Sequence, residues 1–216
     1  MLHFHIISLF PESIASYFAS SMLKRAIEDK KIKVSFYNPR DFTKDKWRRV
    51  DRRPYGGGPG MVLEPESVLN SATKALRKAV RPEIIFFSPS GSDFNTEHAK
   101  KLAKKKDIVM IAGHYEGVDA RVQKILKAKL ISVGPYVLTG GELPAAVVAD
   151  AVTRFVPGVL GNASSLEDAR VASPDVYTRP EVFLWKGKKY KVPKVLLSGH
   201  HAEIEKWKVG QIQKSR

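Results

Sequence analysis

Residues 132–161 read SVGPYVLTGGELPAAVVADAVTRFVPGVLG, and this stretch decides the fold. It follows a short apolar strand that the pattern predicts over residues 129–133. Glycines permit positive φ and a close approach of the backbone to a ligand, and here they are Gly134, Gly140 and Gly141. Pro144 suits the first turn of a helix, and apolar residues then recur at helical spacing as far as Phe155. The stretch therefore predicts a strand, a glycine-rich loop and a buried helix that carries Arg154 near its end.

Apolar runs that read as buried strands also precede this stretch, at residues 2–10, 33–37, 83–88 and 107–112. Segments with helical periodicity alternate with them, at residues 11–27, 64–80, 95–105 and 119–127. The first of these is expected to form one helix with Tyr17 on its apolar side. Strands that alternate with helices favour parallel pairing. The sequence therefore predicts an α/β fold with a mostly parallel sheet of five to six strands.

Small and polar residues follow three of the predicted strands at their carboxyl ends. They form the segments 88–89, 113–116 and 133–136, and each segment contains glycine or proline. Open parallel sheets bind ligands in the crevice outside the carboxyl ends of their strands. We therefore expect a ligand site built from these three loops.

Positive charge is in large excess, with 37 Lys and Arg residues against 22 Asp and Glu residues and a net charge of +15. The basic residues cluster in segments 44–53, 100–106 and 186–194. Clustering favours a polyanionic partner, with nucleic acid ahead of an anionic membrane surface, and simple solubility is the remaining alternative. The absence of Cys excludes disulfides and thiolate metal sites. No apolar run approaches a membrane span and no secretory signal is visible, so we expect a cytoplasmic protein.

A long loop is predicted over residues 41–61, first basic and then glycine-rich. Its glycines are not followed by the Gly-Lys-Ser/Thr of a phosphate-binding P-loop. The loop is either a plain surface loop or a lid that contacts RNA through the phosphates. Beyond Val156 the pattern breaks into a linker, followed by a small hairpin within 182–197 and a final helix over 201–213.

The sequence resembles the bacterial tRNA (guanine-37-N1)-methyltransferases, a family of the knotted SPOUT class. Besides residues 132–161, the motifs that carry the resemblance are YGGGPGM at 55–61, YEGVD at 115–119, YTRPEV at 177–182 and LLSG at 196–199. The likeness covers nearly the whole chain. It implies a deep trefoil knot, an obligate homodimer with the active site at the subunit interface, and methyl transfer from S-adenosylmethionine to N1 of guanine 37 in tRNA.

The resemblance also divides the chain. It implies a knotted catalytic domain at residues 1–157, an interdomain linker at 158–178, and a short C-terminal segment at 179–216 for tRNA binding. Family members usually continue into a longer helical C-terminal domain, so this helical segment is expected to be truncated relative to them.

Carried over by position, the resemblance assigns the methyl donor to residues of the three loops. They are Ser88, Pro89, Gly113, Tyr115, Glu116, Gly117, Val133, Gly134, Pro135, Tyr136, Val137, Leu138, Gly140, Gly141 and Pro144. The substrate-binding residues are expected to be Glu116, Arg48, Arg49, Arg52, Gly58 and Pro59. Two positions depart from the family pattern, because His114 stands in place of an arginine and Pro135 in place of an aspartate.

Methylation of guanine N1 requires loss of the N1 proton and stabilisation of the charge that develops on O6. The resemblance assigns Asp168 as the base and Arg154 as the donor to O6. From the residues alone, Asp168 reads as a surface linker acid, and Arg154 reads equally as a partner for the dipole at a helix C-terminus. The family is also associated with Mg²⁺, but no metal-ligand spacing is readable and no metal ligand is predicted.

Two other functions stay open from the sequence. One is a knotted methyltransferase that acts on ribosomal RNA, and the other is a non-catalytic RNA-binding protein of the same fold.

Overall fold

The computed structural model describes residues 1–160 and 175–214, with side chains up to residue 211. The chain divides into two compact units, Met1–Leu160 and Gly161–Arg216. Each unit is described by itself.

The first unit is an α/β unit whose strands and helices alternate along the chain. Its strands are β1 (Leu2–Ile7), β2 (Ile32–Tyr37), β3 (Asp51–Arg52), β4 (Val62–Leu63), β5 (Glu83–Asp93), β6 (Asp107–Ile111) and β7 (Lys129–Ser132). Its helices are α1 (Glu12–Phe18), α2 (Ser21–Glu28), α3 (Pro65–Leu76), α4 (Thr96–Ala103), α5 (Ala120–Leu126) and α6 (Glu142–Thr153). The α/β class is confirmed.

Five of these strands form one sheet in the order β2-β1-β6-β5-β7, and all their pairings are parallel. The mostly parallel sheet is therefore confirmed, with five strands among the described residues. Strands β3 and β4 form a separate antiparallel pair inside the long loop. A parallel sheet must be covered on both faces, because its strands are apolar on both sides.

Side chains of β1 show how the two faces are filled. Phe4 and Ile6 are fully buried in a core shared with α1, α2, α4 and α6. Ile7 points the other way, into a second core with α3 and α5. This alternation is the period of two expected of a strand, and it places His3 and His5 on the same face as Ile7, opposite Phe4 and Ile6.

The prediction of one helix over residues 11–27 was wrong. The chain leaves the helix at Ala19, and Ser21 has φ of 50°, so α1 and α2 are separate helices. The Ser20 hydroxyl donates to the Tyr17 carbonyl at 2.9 Å, a local bond that competes with helix continuation. Tyr17 is 47% exposed rather than buried, and its hydroxyl donates to Asp150.

The end of β5 also differs from the prediction. A break was expected at residues 88–91, yet the strand resumes and continues to Asp93. Ile131 of β7 aligns with both Phe87 and Ser92, so residues 88–91 form a bulge over β7. The bulge is tight because the Gly91 backbone lies directly against the backbone of Ile131.

The second unit contains the predicted hairpin and final helix, and both are confirmed. Strands β8 (Val182–Trp185) and β9 (Lys188–Lys191) pair antiparallel, followed by α7 (Lys194–Leu197) and α8 (His201–Lys214). The two turn residues, Lys186 and Gly187, both have positive φ, as a two-residue hairpin turn of type I′ requires. Across both units, no helix among the described residues has the length and apolar character needed to cross a membrane.

The bulge gives a test of the packing between β5 and β7. A Cβ atom at position 91 would lie 2.5 Å from the Ile131 backbone nitrogen. We expect Gly91→Ala to lower the free energy of unfolding by about 1–3 kcal/mol, the usual cost of overpacking. Urea unfolding followed by circular dichroism measures the change.

Gly210→Ala is the matched control, since a Cβ there meets no atom within 4 Å and the residue lies within α8. Alanine is favoured over glycine in helices, so this variant should be no less stable than the parent. Equal losses in both variants would contradict the tight bulge.

Candidate functional site

A cavity of about 310 Å³ lies at the carboxyl ends of β5, β6 and β7. These three strands are neighbours in the order β6-β5-β7, so the loops that follow them meet at one edge of the sheet. The lining residues are 86–89, 113–117, 131–134, 136–141 and Pro144. Fourteen of the fifteen residues expected to hold the donor are among them, and Pro135 is the exception. The three-loop site predicted from the strand ends is therefore present as a cavity.

Glycine is required where two of these loops touch. The Gly141 N–H donates to the Gly113 carbonyl oxygen at 2.7 Å, and a Cβ atom at position 141 would lie 2.6 Å from the Cα of Ala112. At position 140 a Cβ atom would lie 2.4 Å from Nδ1 of His114. The backbone itself therefore forms much of this wall.

A buried carboxylate lies behind the wall. Glu142 is the first residue of α6 and is 6% exposed. Its Oε1 accepts a hydrogen bond of 2.7 Å from the Ser8 hydroxyl, and its Oε2 lies 3.5 Å from Nδ1 of His114. The helix thus begins two residues before Pro144, the residue expected to start it. His114, which departs from the family pattern, thus places an imidazole beside this carboxylate.

Glu116 connects the cavity to the long loop 41–61. The Glu116 N–H donates to the Met61 carbonyl oxygen at 3.0 Å, and a Cβ atom at position 60 would lie 2.4 Å from Oε1 of Glu116. The neighbouring Gly58 and Pro59 are exposed. Of the residues expected to bind substrate, Glu116 therefore lines the cavity, and Gly58 and Pro59 precede the loop residues Gly60 and Met61 that contact it.

The three arginines expected to bind substrate lie earlier in the same loop, on its surface. Each pairs with an acid of the same unit: Arg48 with Asp41, Arg49 with Asp45 at 3.0 Å, and Arg52 with Glu64 at 3.5 Å. The Arg49 guanidinium lowers the pKa of Asp45 to about 2. Exposed pairs of this kind contribute little to stability, so the arginines can exchange these partners for phosphates.

Arg154 does not line the cavity. It follows the C-terminal end of α6, in a groove that also contains Tyr17, Met22 and Asp150. The cavity contacts the other end of the same helix, and a helix of 12 residues is about 18 Å long. The described part of one chain therefore does not bring Arg154 to the cavity. Asp168 lies outside the described residues.

Several residues of the site were missed from the sequence. Phe86, Phe87, Ile131 and Ser132 line the cavity as ends of strands, and their types carried no signal beyond burial. Ser8 was missed because its partner Glu142 is 134 residues away. The one available clue was Glu142 itself, an acid that opens a mostly apolar helix.

The bond between Ser8 and Glu142 can be tested by its removal. Ser8→Ala leaves one oxygen of a buried carboxylate without its donor, and we expect a loss of about 1–3 kcal/mol in the free energy of unfolding. Ser13→Ala is the control, because its hydroxyl bonds to the Phe10 carbonyl oxygen at an exposed position. Chemical denaturation should show a change within about 0.5 kcal/mol for the control. Similar changes in both variants would mean that the hydrogen bond from Ser8 to Glu142 contributes no more to the free energy of unfolding than an exposed one.

Comparison with known proteins gives a consistent result over nearly the whole chain. The profile of the family described as tRNA (Guanine-1)-methyltransferase TrmD matches residues 2–216. The tRNA (guanine-N(1)-)-methyltransferase of Dehalococcoides mccartyi (strain CBDB1) is 46% identical over 94% of this chain and 82% of its own length. The enzyme of the same name from Clostridioides difficile (strain 630) is 40% identical over 96% of this chain and 90% of its own. The enzyme of the same name from Dictyoglomus turgidum is 45% identical over 96% of this chain and 84% of its own length. The chain belongs to the tRNA (guanine-1)-methyltransferase TrmD family.

Proposed function

We propose that this chain transfers a methyl group from S-adenosylmethionine to N1 of guanine 37 in tRNA. The observation that carries the proposal is the cavity of about 310 Å³, whose walls contain fourteen of the fifteen residues assigned to the donor. The relatives are named for tRNA and for guanine N1, which favours this function over one on ribosomal RNA or over a non-catalytic role.

The lining of the cavity suits the methyl donor. Apolar side chains such as Phe87, Val133 and Leu138 can contact the adenine ring, while the loop backbones offer polar groups to its edge and to the ribose. The Glu116 carboxylate, at the rim, supplies negative charge near a cationic ligand. Mg²⁺ is not assigned a site here, because the carboxylate behind the cavity wall, Glu142, is already engaged by Ser8.

The chemistry at the base needs two further groups. With a proton on N1 the lone pair is not available for attack on the donor methyl, so a carboxylate must take that proton. We assign this role to Asp168. We assign to Arg154 the stabilisation of negative charge on O6, which also makes the N1 proton easier to remove.

Helix α6 supports a homodimer with a shared active site. Because the cavity and Arg154 lie at opposite ends of α6, one chain separates them by about the length of that helix. Leu143 and Val147 are 57% and 50% exposed on this otherwise apolar helix. If α6 packs antiparallel on α6 of a second subunit about a two-fold axis, the partner's Arg154 approaches the cavity. The same packing covers the exposed apolar side chains.

Two surfaces suit contact with tRNA. One is the basic loop 41–61, where Arg48, Arg49 and Arg52 are available for phosphates. The other is the hairpin, whose Phe183, Tyr190 and Trp185 lie on one face because Phe183 aligns with Tyr190 and Trp185 lies two residues further along β8. Each of these aromatic side chains is more than half exposed. The hairpin also carries four lysines, Lys186, Lys188, Lys189 and Lys191. It therefore combines stacking surfaces with positive charge.

The fold around the cavity supports the trefoil knot implied by the resemblance. Residues 88–91 arch over β7 on one side, and Gly141 is hydrogen-bonded to Gly113 on the other, so the segment 129–141 runs closely between two loops. We propose that this crossing closes the knot. We also propose the knotted domain at 1–157, the linker at 158–178 and the C-terminal tRNA-binding segment at 179–216.

The reaction is tested with tRNA transcripts and radiolabelled S-adenosylmethionine. We expect methylation of a transcript with guanine at position 37 and none when that base is adenine. Asp168→Asn should slow transfer by at least about 100-fold, the usual contribution of a general base, with nearly unchanged donor affinity. Glu167→Gln, a change in the adjacent acid, should retain activity. Loss of donor binding in Asp168→Asn, or an equal loss of activity in Glu167→Gln, would contradict the assigned role.

The shared active site is tested with mixed dimers. One chain carries Arg154→Ala and the other carries Leu138→Trp, which fills the donor cavity, and each variant alone should be inactive. If the partner's Arg154 serves the cavity, the mixed dimer has one intact site. Random mixing should then restore roughly a quarter of the parental activity. No recovery, with the mixed dimer verified by tagged purification, would place both functions in one chain.

A further inference from the structure

A cluster of potential metal ligands lies at the edge of the sheet opposite the cavity. His3 and His5 are two residues apart on β1 and therefore share a face of the sheet. Asp107 opens the neighbouring strand β6 and aligns with His3. Among the described residues, these three offer ligand atoms that all lie within 4.8 Å of one another.

The distances between the ligand atoms suit a small tetrahedral ion. Nε2 of His5 lies 2.9 Å from Oδ1 of Asp107, and Nδ1 of His3 lies 3.8 Å from the same oxygen. Zinc bonds of 2.0–2.1 Å at tetrahedral angles hold neighbouring ligand atoms about 3.3–3.4 Å apart. The two observed distances lie on either side of that value, each within about half an ångström of it. The ligand atoms of His3 and His5 lie within 4.8 Å of each other and would approach each other on binding.

Each ligand is held from behind by a second group. The other ring nitrogen of His3, Nε2, lies 2.9 Å from the Ser35 hydroxyl, and the other nitrogen of His5, Nδ1, lies 3.0 Å from the Tyr37 hydroxyl. The free oxygen of Asp107, Oδ2, accepts a hydrogen bond of 2.9 Å from the Val80 N–H. Metal-binding histidines and carboxylates are typically oriented in this way by partners on their outer atoms.

We propose that His3, His5 and Asp107 form a zinc site, with water as the fourth ligand. Two imidazoles and one carboxylate are a ligand set that zinc accepts. The His5 side chain is fully buried and that of Asp107 is 8% exposed, whereas the His3 side chain is 12% exposed and marks the side from which the ion and its water enter.

Two lysines, Lys33 and Lys78, lie close enough to His3 to act on it electrostatically, and their positive charges oppose a cation at this site. The alternative is a buried polar network that binds no metal. In that case the hydrogen bond between His5 and Asp107 is simply part of the packing of β1 against β6.

The site would act on stability rather than on the reaction. It joins β1 to β6 through residues about 100 positions apart, at the edge of the sheet away from the cavity. An ion that binds only the folded chain raises its stability in proportion to the logarithm of its concentration over the dissociation constant. This role is independent of the proposed methyl transfer.

The experiment is a titration of the chelator-treated protein with zinc chloride, followed by calorimetry and by the melting temperature. We expect one zinc ion per chain. His3→Gln and His5→Gln should each weaken binding by at least 100-fold, and Ser35→Ala by roughly 10-fold, since it removes an outer partner. Zinc should raise the melting temperature of the parent and not that of His3→Gln. Cobalt should give the visible absorption of a four-coordinate site in the parent and not in His3→Gln.

The control variant carries His200→Gln and His201→Gln, which removes the other histidine pair of the chain. It should bind zinc like the parent. Circular dichroism without zinc verifies that each variant is folded, and His3→Gln, at the partly exposed position, is the variant on which the conclusion rests. Absence of stoichiometric binding, binding that persists in folded His3→Gln, or binding lost in the control would overturn the zinc site.

Discussion

The hydrogen bond of 2.7 Å from the Gly141 N–H to the Gly113 carbonyl oxygen joins the loop after β7 to the loop after β6. The cavity depends on this contact, because β5 separates the two strands in the sheet and their loops must reach across its end to meet. A side chain at position 141 would collide with the Ala112 backbone and push the loops apart. Glycine is therefore needed for space here, and the α6 helix can begin directly behind the joined loops.

Helix α6 then sets the distances in the rest of the unit. Its first turn forms part of the cavity and buries Glu142, while its C-terminal end carries Arg154. A straight helix of 12 residues holds these ends about 18 Å apart, whatever the side chains do. A base that must meet both the donor and Arg154 cannot do so within the described part of one chain. The proposed two-fold dimer resolves this conflict, because antiparallel helices place opposite ends side by side.

The sequence predicted the parts of the structure that depend on local signals. Segments rich in apolar residues located the five strands of the sheet, and the small residues at their ends located the loops of the cavity. It did not predict the break between α1 and α2, because the left-handed Ser21 has no glycine signal. It also did not predict the pairing of Ser8 with Glu142, or the distance of Arg154 from the cavity. These features depend on contacts between residues that are distant in the sequence and on the length of a helix. The position of a residue within a motif gives no information on either.

The two edges of the parallel sheet differ in the kind of group that they present. At the carboxyl edge the strands end in glycines and the backbone bends closely around a space, which leaves room for a ligand of appreciable size. At the amino edge the side chains of His3, His5 and Asp107 reach one another directly from adjacent strands, and a loop contributes the Val80 N–H to Asp107. Side chains that stand 2.9–3.8 Å apart leave no room for a larger molecule, and the proposed ion would replace the hydrogen bond between His5 and Asp107. One sheet can therefore hold a small-molecule site and a separate ion site without competition, because strand direction assigns them to opposite edges.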